Sequence, residues 1–592
     1  MILNTYLNRR FGKPIWGCGR VRVKGVDMKI LRIDVGEETV TAEAVPETLK
    51  LIGGRAFTSG WIYDFVDPEC DPLGPYNHLV IAPGLLAGTP SSSVHRLSVG
   101  AKSPLTGGIK ESNSGGIVAY KMARMGIKAV VIAGAPPEGK WSVLYIGPDG
   151  GRFDAAGDIL GKGTEAAAQS LHHVYGDDAA LMVIGPAGEN RFSSAAILNS
   201  DREGFAARVC GRGGMGAVMA AKGVKAIVID DTGTGPVSIA DNDGFKKGAK
   251  QYIECLRETP QTSEIYTKFG TAAMTDVANE LGGLPTLNFK KGRFDGAEKI
   301  NGRTLYRTIV ERGGNPSHAC MPGCVICSSN IYVDASGEAI VRSLEYETLV
   351  LFGPNCGIDD LDELARINWM CNDIGVDTIE LGVAVGIAMD AGIIPFGDAD
   401  GVKGLLDEVR KATTMGRVLG QGAAVAGKVF NVKRIPVVKG QAMAAYEPRA
   451  IKGHGVTFAT TTMGADHTAG FTIREGLDSH KKDGQVEASG RMQVNGMLYD
   501  MLGVCLFAHP AVRNRHDTLT RMVNGRWGTD ITTAGLRKIA VAAMTTERAF
   551  NRKAGLGPSS DRLPEIFYRE ENPSSGTVFD IAPDALDALE YE

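Results

Sequence analysis

Three cysteines within eight residues constrain this chain more than any other feature: His318-Ala-Cys-Met-Pro-Gly-Cys-Val-Ile-Cys327. Pro322 and Gly323 tighten the loop, and three thiols so close cannot all pair as disulfides. They can converge on one metal centre, because thiolates are soft anionic ligands, and a local trio with one distant fourth is a common way to hold a [4Fe–4S] cluster. Asp500-Met-Leu-Gly-Val-Cys505 offers that fourth thiol in a turn-like setting. The expected ligands are therefore Cys320, Cys324, Cys327 and Cys505.

Two other uses of the same atoms stand beside this one. A structural zinc site would take His318 or Cys356 as its fourth ligand, although zinc sites more often show two separated Cys/His pairs. The literal spacing C-x3-C-x2-C is also that of radical SAM enzymes. Their motif usually lies early in a barrel, whereas here it lies past the middle with no run of strand–helix repeats after it.

At 592 residues the chain exceeds one core, so several domains are expected. A formal net charge of −4 argues against nucleic acid as a partner. Ten cysteines are too sparse for a disulfide scaffold. Asn8-Arg-Arg-Phe-Gly-Lys13 resembles a twin-arginine signal, but no apolar run follows it. No stretch reaches the roughly 18–20 apolar residues needed to span a bilayer. A cytoplasmic protein is the default.

The fold class read from the pattern is α+β, with an N-terminal β-rich cofactor-binding domain followed by two mainly α-helical domains. Residues 1–27 form a basic extension carrying Trp16 and Cys18, which could be a surface arm or a docking segment. Residues 28–236 are strand-rich: Lys29–Asp34 alternates, and 79–82, 129–133 and 224–230 are short apolar runs between Gly-rich turns. Apolar spacing and Asp, Asn or Thr starts predict helices at 241–257, 271–281, 360–374 and 402–429 within a domain spanning 237–436, which also carries the cysteine loop. Residues 437–592 continue helical, notably at 536–554, and contain Cys505.

Two loops share one pattern, Asn372-Asp-Ile-Gly-Val-Asp377 and Asp500-Met-Leu-Gly-Val-Cys505. A single copy reads as a helix C-cap ending in Gly. Two copies, one ending in a proposed cluster ligand, point to a shared ligand whose N–H edges meet Asn372 and Asp500. Gly375-Val376 and Gly503-Val504 would bring backbone N–H groups close to it. Gly211, Gly213 and Gly216 spell G-x-G-x-x-G, but residues 203–210 do not read as an apolar strand, so a dinucleotide site is not expected there.

Further motifs follow in order: Lys102-Ser-Pro-Leu-Thr-Gly107, Ser112-Asn-Ser-Gly-Gly116, Gly185-Pro-Ala-Gly-Glu-Asn190, Gly211-Arg-Gly-Gly-Met-Gly-Ala-Val218, Glu345-Tyr-Glu347, Ala445-Tyr-Glu-Pro-Arg449, Gly453-His-Gly455 and Glu547-Arg-Ala-Phe-Asn-Arg-Lys-Ala-Gly-Leu556. With these, the chain from about residue 28 resembles the tungsten-containing aldehyde:ferredoxin oxidoreductase family. The resemblance implies a mononuclear tungsten, or molybdenum, held by two pterins, with a [4Fe–4S] cluster beside it and a magnesium ion linking the pterin phosphates.

Carried over position by position, Arg96 and Arg208 would neutralise phosphates. Asn113, near Gly115, and the Val209 carbonyl would serve magnesium. Asn372 and Asp500 would hold pterin edges, with Asp377 closing the first loop, and Cys505 would ligate the cluster and lie against one pterin. Glu347 and His467 would be the acid/base pair, while Tyr346 and His454 either shape the pocket or serve packing and loop hydrogen bonding. The family's usual cysteine spacing is C-x2-C-x3-C, and Asn372 stands where Asp is usual. The implied reaction is oxidation of an aldehyde with water to a carboxylic acid, in an oligomer that passes electrons to ferredoxin or a ferredoxin-like subunit. Same-fold reduction of an activated acid or aryl-CoA is the alternative, and a non-catalytic iron–sulfur or zinc subunit lies outside that class.

Overall fold

The computed structural model describes residues 28–591; the extension expected at 1–27 lies outside them. The N-terminal part holds two six-stranded sheets. The first comprises β1 Lys29–Asp34, β2 Thr39–Ala44, β3 Leu79–Pro83, β4 Leu97–Lys102, β5 Ile109–Ser114 and β6 Ile127–Ala133. The second comprises β7 Ser142–Gly147, β8 Gly150–Ala155, β9 Ala180–Val183, β10 Ile197–Ser200, β11 Ala206–Cys210 and β12 Val224–Ile229.

These two sheets are copies of one plan. The strand orders are β2-β1-β6-β3-β4-β5 and β8-β7-β12-β9-β10-β11, so adding six to each label converts one into the other. Each has one parallel pair, β1 with β6 and β7 with β12, and is otherwise antiparallel. In sequence the copy survives mainly at Gly126-Ile-Lys-Ala-Val-Val-Ile132 and Gly223-Val-Lys-Ala-Ile-Val-Ile229. Even the buried lysines correspond: Lys128 Nζ donates to the Lys50 carbonyl at 2.8 Å and Lys225 Nζ to the Lys162 carbonyl at 3.1 Å. A lysine that deep needs such acceptors.

Strands apolar on both faces lie between layers. Leu31, Ile33, Val130 and Ile132 of one sheet and Leu144, Ile146, Ile227 and Ile229 of the other form one shared core. Helices α2 Val118–Arg124 and α4 Met215–Ala221 contribute to that core. The opposite faces pack outward, against α1 Gly54–Phe65 on the first sheet and α3 Thr164–Tyr175 on the second.

Beyond residue 236 the chain is mostly helical. The helices that matter for the site are α5 Asn242–Glu258, α6 Tyr346–Phe352, α7 Leu361–Ile374, α8 Gln485–Leu502 and α9 Thr533–Lys553. A small sheet of Asn315–His318, Ser329–Val333 and Ala339–Val341 carries the cysteine loop between its first two strands.

Two sequence expectations fail locally. The helix expected at 402–429 is three helices, Ala399–Arg410, Thr414–Gly420 and Ala423–Val429. Ala412 and Gly422 have positive φ (51° and 94°), and the Thr413 side chain caps the second helix by accepting from the Gly416 N–H. Residues 206–210 do form a strand, β11, but at the edge of its sheet and antiparallel to β10. No parallel βαβ unit surrounds the glycines at 211–216, so a dinucleotide fold is absent there for topological reasons rather than for want of a strand. Among the described residues no helix is long and apolar enough to cross a membrane.

Candidate active site

The two Gly-Val loops are C-caps of α7 and α8, and they are built alike. Gly375 and Gly503 take left-handed φ (77° and 79°), which Gly adopts without Cβ strain. The Val376 N–H reaches the Cys371 carbonyl at 3.0 Å and the Val504 N–H reaches that of Tyr499 at 2.9 Å.

Each cap is then gripped by the equivalent loop of one sheet. Arg96 N–H donates to the Gly503 carbonyl at 3.0 Å, and Ala196 N–H to that of Gly375 at 2.9 Å. Cys505 N–H donates to Ser93 and Asp377 N–H to Ser194, at 2.8 and 2.9 Å. A Cβ on Gly84 would overlap the backbone of Gly503, and one on Gly185 that of Ile374, so backbone meets backbone at both grips. Asn372 thus corresponds to Asp500, and Asp377 to Cys505. The register of the outer strands extends the relation: Asn113 pairs with Ser98 and Val209 with Leu198, equivalent places in the two sheets.

Between the caps lies a cavity of about 390 Å³. Its lining includes Arg96, Asn113, Gly115, Arg208, Val209, Glu347, Asn372, Val376, Asp377, His467, Asp500 and the thiols of Cys320, Cys324 and Cys505. Thus segments some 180 positions apart in the chain share one wall. Cys327 does not line it; its thiol donates to the Cys324 carbonyl at 3.0 Å. Ser93 Oγ lies 3.4 Å from Cys324 Sγ, and all four thiols are free. Gly375, Gly503 and Val504 shape the caps without facing the cavity.

The zinc alternatives are otherwise engaged. His318 Nδ1 faces Arg208 Nη2 at 3.1 Å and Nε2 faces Glu203 at 2.9 Å. Because the guanidinium can only donate, the His318 proton sits on Nε2 and goes to Glu203. Cys356 is buried in the helical core with its thiol on the Leu351 carbonyl, 3.3 Å.

Arg96 Nε and Asn113 Oδ1 are hydrogen-bonded, and Asn113 Nδ2 donates to Glu111 at 3.1 Å. Arg208 Nη1 donates to Ser329 at 2.7 Å, while its buried Nε has no partner among the described residues. Two arginines with spare donors suit oxyanions such as phosphates.

Glu347, in the first turn of α6, lies 3.2 Å from His467 through Oε1 and Nε2. Its Oε2 accepts the Ala445 N–H at 2.8 Å, and Tyr346 Oη fixes the same residue by donating to the Ala445 carbonyl at 2.8 Å. The close pair is out of hydrogen-bond alignment, and among the described residues both Glu347 Oε1 and His467 Nδ1 lack a hydrogen-bond partner. Burial pushes the Glu347 carboxyl above its ordinary range, with His467 offsetting only part of the rise. The Tyr446 ring is tilted against both histidines, 5.8 Å from that of His467 and 4.4 Å from that of His454, which hydrogen-bonds Thr472 at 3.0 Å and does not line the cavity.

Several charged groups escaped the reading of the sequence. Arg55 on α1 makes a bidentate pair with Glu547 on α9, 3.0 and 2.9 Å, and lies 3.5 Å from Asp500. Ser59 and Thr462 complete the Glu547 carboxylate at 2.7 and 2.6 Å. On the other side Lys110 Nζ donates to Asp466 at 2.6 Å, and Arg212 bonds Asp377 at 3.3 Å and the Ala465 carbonyl at 2.6 Å. Burial alone would raise Asp466, but the charges of Lys110 and Arg212 together outweigh it and hold the carboxyl well below its usual range. Glu547 opens one of the motifs above and Arg55 lies in none of them; only their charge in apolar surroundings could have singled them out. Glu547→Gln is expected to cost about 3–5 kcal/mol of stability in chemical unfolding, because it strands a buried guanidinium. Loss of the exposed Arg569–Glu565 pair should leave the same transition unmoved.

Comparison with known proteins adds to this geometry. Residues 30–231 match the family described as "Aldehyde ferredoxin oxidoreductase, N-terminal domain", and residues 247–590 match its domains 2 and 3. The tungsten-containing aldehyde ferredoxin oxidoreductase of Pyrococcus horikoshii is 32% identical over 582 residues, 93% of each chain. That of Pyrococcus furiosus is 30% identical over 578 residues, again 93% of each. Among solved structures, the active site complex BamBC of benzoyl coenzyme A reductase in complex with 1,5-dienoyl-CoA superposes with a TM-score of 0.79. It covers 95% of this chain and 92% of that one at 18% identity, a likeness of fold.

Proposed function

Because the chain belongs to the aldehyde ferredoxin oxidoreductase family, an oxidoreductase family, we propose that it oxidises aldehydes with water to carboxylic acids at a tungsten, or molybdenum, bis-pterin site. A [4Fe–4S] cluster on Cys320, Cys324, Cys327 and Cys505 stands beside that site, and a ferredoxin or ferredoxin-like subunit takes the electrons. The observation that carries the reading is Glu347 and His467, 3.2 Å apart, each with an unpartnered polar atom at a cavity bounded by matching caps and by thiols.

The residues fit the groups. The two-fold relation of the caps suits two copies of one organic ligand, with Asn372 and Asp377 on one side and Asp500 on the other. Arg96 and Arg208 suit its phosphates, and Asn113 with the Val209 carbonyl suits magnesium between them. Asp500 and Cys505 share one turn, so what the carboxylate holds lies against what the thiolate holds. When bound, the metal–pterin group supplies a two-electron acceptor.

The protein supplies orientation and proton handling. His467 donates a hydrogen bond to the aldehyde oxygen and polarises the carbonyl. Glu347, ionised, takes a proton from the attacking water through Oε1, while the Ala445 N–H keeps Oε2 in place. A carboxylate lifted toward the working pH is suited to this task. The cavity walls of Tyr446 and Phe471 exclude bulk water beside the pair. Anaerobically purified protein should reduce a viologen dye in the presence of an aldehyde and release the matching acid. Failure to reduce the dye with any of a set of aliphatic and aromatic aldehydes, with the metal site filled, would overturn the reading.

A further inference from the structure

Among the described residues, the Tyr252 hydroxyl is buried and has no hydrogen-bond partner. Other deep tyrosines near the cavity are satisfied: Tyr346 donates to the Ala445 carbonyl at 2.8 Å, Tyr266 meets Arg474 at 2.9 Å, and Tyr499 meets His509 and His516 at 3.0 and 2.8 Å. Leaving such a group unpaired costs desolvation free energy that a phenylalanine would avoid. A hydroxyl kept at that position calls for an acceptor.

Its surroundings say which one. Tyr252 sits on the apolar face of α5 with Phe245, Ala249 and Leu256. That face belongs to the core holding Ile326 and Val504, with Cys324, Val325 and Leu506 packed against it. The same core thus takes in residues flanking the ligands on both the cysteine loop and the turn of Cys505. Burial pushes the Tyr252 hydroxyl well above its ordinary range, and the neighbouring thiols of Cys505 and Cys324 push it the same way. None of these lies within hydrogen-bond reach. Among the described residues no side chain accepts from it, and the buried hydroxyl does not meet bulk solvent; a cluster held by these cysteines would bring further sulfur to this core.

We propose that the Tyr252 hydroxyl donates a hydrogen bond to a sulfur of the iron–sulfur cluster and so raises its reduction potential. The inference rests on the cluster reading above. Donors aimed at cluster or cysteinyl sulfur stabilise the more negative, reduced form, and hydrogen bonding to the sulfurs is one of the protein's means of setting the potential. Tyr252 ligates nothing, and its ring fills the same core with or without the oxygen.

Tyr252→Phe tests this on the full-length holoenzyme by redox titration followed by EPR, with pulsed EPR in D2O on both proteins. The expected result is unchanged iron content, a midpoint potential shifted lower, and loss of one exchangeable-deuteron coupling present in the unmutated protein. An unchanged midpoint with the coupling retained overturns the proposal. So does loss of iron in the variant, which would make Tyr252 a structural support. A wild-type protein that binds no cluster overturns instead the ligand assignment on which the proposal stands.

Discussion

Glu347→Gln is expected to lower turnover by about 10²–10⁴-fold, the range a positioned acid or base supplies, with metal and iron content unchanged. The amide has nearly the shape of the carboxyl and can still accept the Ala445 N–H, so the loop at Ala445 keeps its place. What it cannot do is take a proton. The pH profile adds a second signature. Burial raises Glu347, so the ionised form, and with it activity, grows as pH rises through a value above the ordinary carboxylate range. That rise should vanish from the residual activity of the variant. Turnover equal to wild type would remove Glu347 from the mechanism; a lost metal centre would recast it as a positioning residue.

Cys505→Ser is expected to have the largest effect on cofactor content. A serine hydroxyl is a poor ligand for iron beside three thiolates, so most of the iron should be lost, and dye-linked aldehyde oxidation with it. The backbone offers no separate reason for collapse, because the Cys505 N–H bond to Ser93 and the Gly503 cap do not involve the sulfur. Cys356→Ser is the control: Cys356 is buried elsewhere in the helical core, and its replacement should leave iron untouched. Equal iron in the two variants would mean that Cys505 is no ligand.

The parts of this site that could be read from sequence are those where chemistry or backbone conformation narrows the choice of residue. Gly375 and Gly503 must be left-handed, and their repetition before Asp377 and Cys505 betrayed a common geometry. The cysteine trio declared itself by spacing. The duplication of the two sheets was hidden, because only the β6 and β12 stretches kept their likeness while the contacts kept theirs. Thr164, for instance, donates to the Asn372 carbonyl at 2.9 Å, where Gly54 in the other half lets α1 approach that of Asp500 directly. The Arg55–Glu547 pair was hidden for another reason. Its members lie 492 residues apart, and neither end alone distinguishes a buried ion pair from a solvated one. The break at 402–429 turned on Thr413 and Gly422, whose capping role competes with an unbroken apolar period across them.

The central claim is that soft-metal chemistry occupies the space between the two caps, and elemental analysis of anaerobically purified protein tests it most directly. The account predicts about one tungsten or molybdenum and about four iron atoms per chain. Zinc alone, with neither a group-6 metal nor iron, would contradict it.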